Sequence, residues 1–328
     1  MIGLYITYPK WITPFVFPFT TLFRWYSLMY VFAFLTAWLL LRYVLKHDNS
    51  RLRLNVSKSE DIDLIIFIAV FLLLGARLGS ALIYSGSYYW KHPHLIFWPF
   101  ANGEFVGLPG MSYHGGVVGA IIGAFVFAKR RHKSLLDIMD TVICCVPFAY
   151  TWGRLGNFFN AELYGRVTAS GIGMMFPPSS TPHFSTSLLW VQDVMHKCSI
   201  TADGTYVNLP RHPSQLYEAV FEGIVVGLIL WCIVRPKMKK IAPGVTSGLY
   251  FVLYGTVRFF IEYFREPDAN LGFIIKGGSG ADNISLFTSI LNLTLGQILC
   301  FLMIVGGIIM IIVCKKKFGK EKNSAKRK

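Results

Sequence analysis

Gly153-Arg154-Leu155-Gly156-Asn157-Phe158-Phe159-Asn160-Ala161-Glu162-Leu163-Tyr164-Gly165 closes a long apolar segment with an arginine, two asparagines and a carboxylate. An arginine in hydrocarbon costs roughly 2.5–3.5 kcal/mol on insertion scales, so its presence there calls for compensation. A guanidinium flanked by glycines and amide side chains is suited to hold a phosphate. At membrane depth, that phosphate most naturally belongs to a lipid. The stretch therefore argues for a membrane fold and for an anion site inside it.

Composition agrees. The 328 residues are 54% hydrophobic, 16% aromatic and only 15% charged, with a mean hydropathy of +0.50. A soluble chain of this length carries far more charge, so the expected fold is an all-α polytopic membrane protein. Seven apolar segments reach the ~20 residues that a bilayer crossing requires. They fall near 23–45, 62–84, 112–129, 137–156, 214–234, 245–265 and 294–314. The resulting plan has an external interfacial segment at 1–22 and transmembrane helices 1–4 over 23–156. A small external head follows at 157–213, then helices 5–6 over 214–265. A cap loop at 266–293, helix 7 at 294–314 and a basic tail at 315–328 complete it. The first 20 residues lack a basic start and carry Pro9, Pro14 and Pro18, so no cleavable signal peptide is expected.

Charge sets the orientation. Of the 32 Lys and Arg residues, 21 lie in the alternate connections 42–60, 129–133 and 235–240 and in the tail 315–328. By the positive-inside rule the tail is cytoplasmic, and the N-terminus and head are outside. The net charge of +15 thus reads as contact with anionic headgroups, not with nucleic acid. Six cysteines (Cys144, Cys145, Cys198, Cys232, Cys300 and Cys314) form no CxxC pair and no disulfide-like framework.

With the orientation fixed, polar residues from five segments converge on the outer half of the bilayer. Arg154 lies 17 residues beyond Asp137, Arg258 13 beyond Val245 and Arg77 14 beyond Asp63. His114 opens the third span from outside, and Arg24 with Tyr26 opens the first. Snorkelling competes as an explanation for Arg24 and Arg77. Tyr254, Arg258 and Glu262 follow at i, i+4 and i+8 on one helical face, so Glu262 can fix the guanidinium while Tyr254 lines the same wall. A structural ion pair within the bundle is the competing reading of that trio. Gly119 and Gly123, after Gly115-Gly116, continue a small-residue face suited to close helix packing. Arg211-His212-Pro213-Ser214-Gln215-Leu216-Tyr217-Glu218 returns the head to the fifth span, and Pro213 suits helix initiation there.

Together these residues resemble the prolipoprotein diacylglyceryl transferase family. The resemblance runs from Arg24-Trp25-Tyr26 through Gly75-Ala76-Arg77-Leu78-Gly79 to Leu295-Gly296-Gln297. It is most specific at Met111-Ser112-Tyr113-His114-Gly115-Gly116, Gly153–Gly165, Arg211–Glu218 and Tyr254-Gly255-Thr256-Val257-Arg258. It implies transfer of a diacylglyceryl group from phosphatidylglycerol to the lipobox cysteine of an exported prolipoprotein. A thioether forms, glycerol 1-phosphate leaves, and the enzyme sits in the bacterial cytoplasmic (inner) membrane. No cofactor and no metal are implied. The implied catalytic residues are His114, Arg258, Tyr26 and Glu262. Phosphatidylglycerol binding falls to Arg154, Asn157, Glu162 and Gly165, with Tyr254 beside them. The substrate thiol needs a base or a cationic neighbour, since a free thiol titrates near ~8.5. Either His114 or the arginine field supplies it. The cap over 270–293 is longer than usual for the family, and Ser27 stands where glycine is common.

Two rival classes fit less well. A transporter or lipid flippase needs polar pathways to both faces, whereas these polar groups favour the outer half. An intramembrane protease needs a Ser with His, paired Asp or HExxH, and Asp137 and Asp140 lie at the cytoplasmic end of the fourth span.

Overall fold

The computed structural model describes residues 5–17, 19, 24–48, 60–84, 87–101, 104–105, 110–267 and 271–326. Its long helices are α1 (Trp25–His47), α2 (Glu60–Gly79) and α3 (Tyr113–Arg130). The helices α4 (Leu135–Ile143) and α5 (Val146–Phe159) follow, then α6 (Leu189–Cys198). The last three are α7 (Ser214–Lys240), α8 (Val245–Ile261) and α9 (Leu295–Lys326). Among the described residues, four of these helices are long and apolar enough to cross a membrane, and α4 with α5 makes a fifth if taken as one span. The protein is mostly helical, as expected. It adds four two-stranded pairs that an all-α reading did not include.

Helix ends shift for local reasons. The fourth apolar segment is not one rod: α4 and α5 meet at 51°. Pro147 lacks a backbone N–H and is accommodated in the first turn of a new helix, so the chain bends there. α5 then runs to Phe159, three residues into the stretch assigned to the head. α8 stops at Ile261, and Arg265 instead pairs as backbone with Gly165. The boundary expected at 22–23 lies outside the described residues.

Missing side chains let the helices touch. A Cβ on Gly79 would stand 2.9 Å from the Gly115 Cα, and one on Gly123 3.0 Å from the Phe71 Cβ. The glycine face expected on α3 is thus the seam against α2. α8 and α9 meet in the same way, where a Cβ on Gly307 would lie 2.7 Å from the Gly248 carbonyl oxygen.

Arg77 does not snorkel. It is 1% exposed, donates from Nε to the Ile96 carbonyl and from Nη2 to the Tyr89 hydroxyl at 3.0 Å, and stacks on that ring. Its cost is offset by tying the segment after α2 back onto the helix.

Outside the helical body, two clusters hold 160–213 together. Val167, Val191, Val194, Cys198, Val207 and Leu209 form one, and Tyr8, Phe158, Ala161, Met174 and Phe176 the other. The N-terminal segment joins the second: Ile6–Thr7 pairs in parallel with Met174–Met175, and the Tyr8 hydroxyl donates to the Phe158 carbonyl at 2.8 Å. Arg211 lies between the Tyr164 and Phe184 rings and pairs with Glu266 at 2.7 Å. Beside it, burial pulls the His212 imidazole down to about 4, helped by the Arg166 charge.

At the opposite end, Asp140 of α4 caps α8. Its carboxylate accepts from Gly244 N (2.8 Å), Ser247 N (2.8 Å) and Ser247 Oγ (2.7 Å). Gly244 takes φ +89°, which a side chain would strain, so that its N–H meets the carboxylate. Orphan N–H groups at a helix start need such an acceptor. Asp140→Ala is expected to lower stability by about 2–4 kcal/mol, and Asp140→Asn by less. Thermal unfolding in detergent reads this, and an unchanged midpoint for the alanine variant would contradict the capping role.

Candidate functional site

The site begins with how closely α5 and α7 approach. A Cβ at Gly223 would lie 3.1 Å from the Thr151 Cβ, and one at Gly227 2.9 Å from the Phe148 ring. With those side chains absent, Arg154 near the C-terminal end of α5 stands beside Glu218 near the start of α7. From Glu218 to Val225 the helix is wound as π turns, a form frequent at functional sites.

Glu218 is wholly buried and faces three arginines. One of its oxygens lies 2.8 Å from Arg154 Nε. The other lies 2.8 Å from Arg258 Nη1 and 3.4 Å from Arg265 Nη1. Glu222, also wholly buried, lies 3.4 Å from Arg258 Nη1, and Glu262 holds Arg258 Nη2 at 2.8 Å. Three guanidiniums thus meet three carboxylates, on α5, on α7 and on or just past α8.

The two central arginines are held differently. Arg258 has both terminal nitrogens committed to carboxylates. Arg154 has its short contacts on Nε alone, where it donates to the Tyr150 hydroxyl at 2.6 Å. Because the Nε hydrogen points at Tyr150, the 2.8 Å approach of Glu218 is an ion pair and not a second hydrogen bond. Among the described residues, the Nη edge of Arg154 keeps a 3.4 Å contact with Asn157 Oδ1. That edge is the part of the cluster most open to an oxyanion.

The other expected residues surround this core. Asn157 donates to Glu162 Oε1 at 2.9 Å, and Asn160 adds a 3.3 Å bond to the same oxygen. Tyr26 of α1 packs where a Gly156 side chain would stand, 3.2 Å from the ideal Cβ, and its hydroxyl bonds Tyr30 at 3.1 Å. Tyr254 is buried and meets the Tyr150 ring edge-on at 5.8 Å. Glu262 also accepts from Thr294 Oγ1 at 3.0 Å, and a Cβ on Gly296 would stand 2.7 Å from its Oε1. Gly165 is a backbone junction: its N–H donates to the His212 carbonyl at 2.8 Å, and a Cβ would lie 2.8 Å from that of His212. His114 lies on α3. It is exposed in the first turn of α3, which Ser112 caps and which packs along α2. The ion-pair cluster is built from α5, α7 and the α8 end.

Glu218 stands in the sequence as part of a helix-start motif, and Glu222, Arg265 and Tyr150 join the site only in the folded structure. A signal was present. Two glutamates four residues apart in the otherwise apolar 214–234 are as costly as the arginines, and opposite charges at one depth find each other. Glu218→Gln leaves three arginines sharing two carboxylates, so it is expected to cost about 3–5 kcal/mol of stability. Glu222→Gln removes one 3.4 Å ion pair and is expected to cost less. Unfolding of both variants in detergent checks the order, and a reversed order would contradict this geometry.

Comparison with known proteins agrees with the earlier resemblance. The family profile described as prolipoprotein diacylglyceryl transferase matches residues 14–313. A relative from Treponema denticola, named phosphatidylglycerol–prolipoprotein diacylglyceryl transferase, is 44% identical over 97% of this chain and 98% of its own length. Relatives with the same name from Treponema pallidum (44% identical, covering 93% and 94%) and Chlorobaculum tepidum (41%, covering 90% and 86%) are similar over nearly as much. The chain belongs to the prolipoprotein diacylglyceryl transferase family.

Proposed function

We propose that Arg154 anchors the phosphate of phosphatidylglycerol on its Nη edge, in a site at the outer end of a seven-helix bundle. The enzyme transfers the diacylglyceryl group from phosphatidylglycerol to prolipoproteins, the first step of lipoprotein maturation. One observation carries the anchor: among the described residues the short contacts of Arg154 lie on Nε, while its Nη edge has a 3.4 Å contact with Asn157. The seven-span reading is supported by helices at all seven apolar segments. With the basic connections inside, the N-terminus, the head and the cap face outward from the bacterial inner membrane.

In this reading the sulfur of the lipobox cysteine attacks C3 of the glyceryl group. The bond from C3 to the phosphate oxygen breaks, and glycerol 1-phosphate departs with the electron pair. Arg154 stabilises the charge that grows on that oxygen, in a dry site where such stabilisation is strongest. Asn157 and Glu162 steady its Nη edge, and Tyr26 lines the wall that α1 brings up. Glu262 locks Arg258 as the second cation, with Tyr254 packed behind. Gly165 lets the head backbone approach closely.

The charge count decides who takes the thiol proton. Three arginines are already balanced by Glu218, Glu222 and Glu262, and a bound phosphate makes the cluster net negative. Such a field favours a dedicated base over the arginines, and in this reading His114 fills that role.

The test uses purified protein in detergent, phosphatidylglycerol and a peptide bearing a lipobox cysteine, with mass spectrometry for the thioether. Arg154→Ala is expected to lose about 100- to 1000-fold in rate, and His114→Gln a comparable factor. Wild-type rates from Arg154→Ala would remove the anchor. Near-normal turnover of His114→Gln with a displaced pH profile would return thiol activation to the arginine field.

A further inference from the structure

Tyr150 has no part in the reaction as described, yet it touches both halves of the cluster. Its ring lies under the Arg154 guanidinium, 4.8 Å from Cζ to the ring centre. Its hydroxyl accepts the Arg154 Nε hydrogen at 2.6 Å and passes its own hydrogen to Glu222 Oε2. Residues 150 and 154 are one turn apart on α5, so the ring is held beneath the side chain it serves. Among the described residues, Glu222 Oε1 also meets Arg258 Nη1, at 3.4 Å.

We infer that Tyr150 is a positioning residue: it stands between Arg154 and Glu222 and so keeps the Nη edge of Arg154 turned toward the lipid phosphate. A wholly buried carboxylate without a donor is strongly unfavourable. If the hydroxyl were absent, Glu222 would keep Arg258 Nη1 on Oε1 but lose the donor on Oε2, and the group on the far side of the missing hydroxyl is the Arg154 guanidinium. Arg154 would then close onto two carboxylates, Glu218 and Glu222, and present neither a free edge nor a net charge to an incoming phosphate. The hydroxyl prevents this because it satisfies both partners at once: it accepts from the cation and donates to the anion. A phenylalanine fills the same space and does neither.

The inference rests on the reading of Arg154 as the phosphate anchor, and the experiment separates the two. Initial rates are measured with dioleoyl phosphatidylglycerol and a lipobox-cysteine peptide. The variants are Tyr150→Phe, Glu222→Gln, the Tyr150→Phe/Glu222→Gln pair, and Arg154→Ala. Binding of the lipid is measured on the same preparations. Tyr150→Phe is expected to lower kcat/KM for the lipid about 10- to 100-fold, the range for loss of one hydrogen bond to a charged group, mostly through KM. The double variant, with the competing charge gone, is expected to recover to within about fivefold of Glu222→Gln alone. A merely structural tyrosine predicts no such rescue. Unchanged KM and kcat in Tyr150→Phe, or a double variant no better than the single, would overturn the inference while Arg154→Ala still fails to bind lipid. If Arg154→Ala binds the lipid as wild type does, the anchor itself is wrong and the role of Tyr150 falls with it.

Discussion

Glu218 sits where no water reaches, and its two oxygens face different arginines on different helices. Neither arginine is tolerable in a low-dielectric bundle without that carboxylate, and the carboxylate is intolerable without them. This mutual requirement fixes α5, α7 and α8 at one depth and one rotation, because a guanidinium moved by a helical turn would lose its partner. Arg265 extends the same contact to the backbone that pairs with Gly165. The charges balance within the cluster: Arg258 is held on both terminal nitrogens, and among the described residues the Nη edge of Arg154 has a 3.4 Å contact with Asn157.

Small residues make that cluster possible. Gly223 and Gly227 let α5 come within touching distance of α7, Gly156 admits the Tyr26 ring, and Gly296 leaves room for the Glu262 carboxylate. The Pro147 bend aims α5 at this point while α4 keeps its own course. At the far end of α8, Asp140 ties the helix start to α4. The helix that carries Arg258 is therefore fixed at both ends by buried carboxylates, and its middle is free to pack on α9 through glycine.

Much of this was readable from residue types and spacing. Arg154 announced itself by its cost in hydrocarbon, and Arg258 with Glu262 by helical periodicity. The α2–α3 seam was legible in Gly115, Gly119 and Gly123. Glu218 and Glu222 carry the same signal of cost in an apolar segment, but nothing local says which arginines they meet. Arg77 and Arg154 share the local pattern Arg-Leu-Gly, yet one binds backbone carbonyls and the other carboxylates. Local sequence does not encode which partners the tertiary fold delivers. The parallel pairing of Ile6–Thr7 with Met174–Met175 has no local signature, since it depends on how distant segments are brought together.

The most direct test of this arrangement is a density map of the protein in nanodiscs containing phosphatidylglycerol. The account predicts the lipid phosphate on the Nη edge of Arg154, with Glu218 still bridging Arg154 and Arg258 and the Tyr150 hydroxyl still between Arg154 and Glu222. A phosphate bound elsewhere in the bundle, with the Arg154 edge occupied by Glu222 or by nothing, would contradict it.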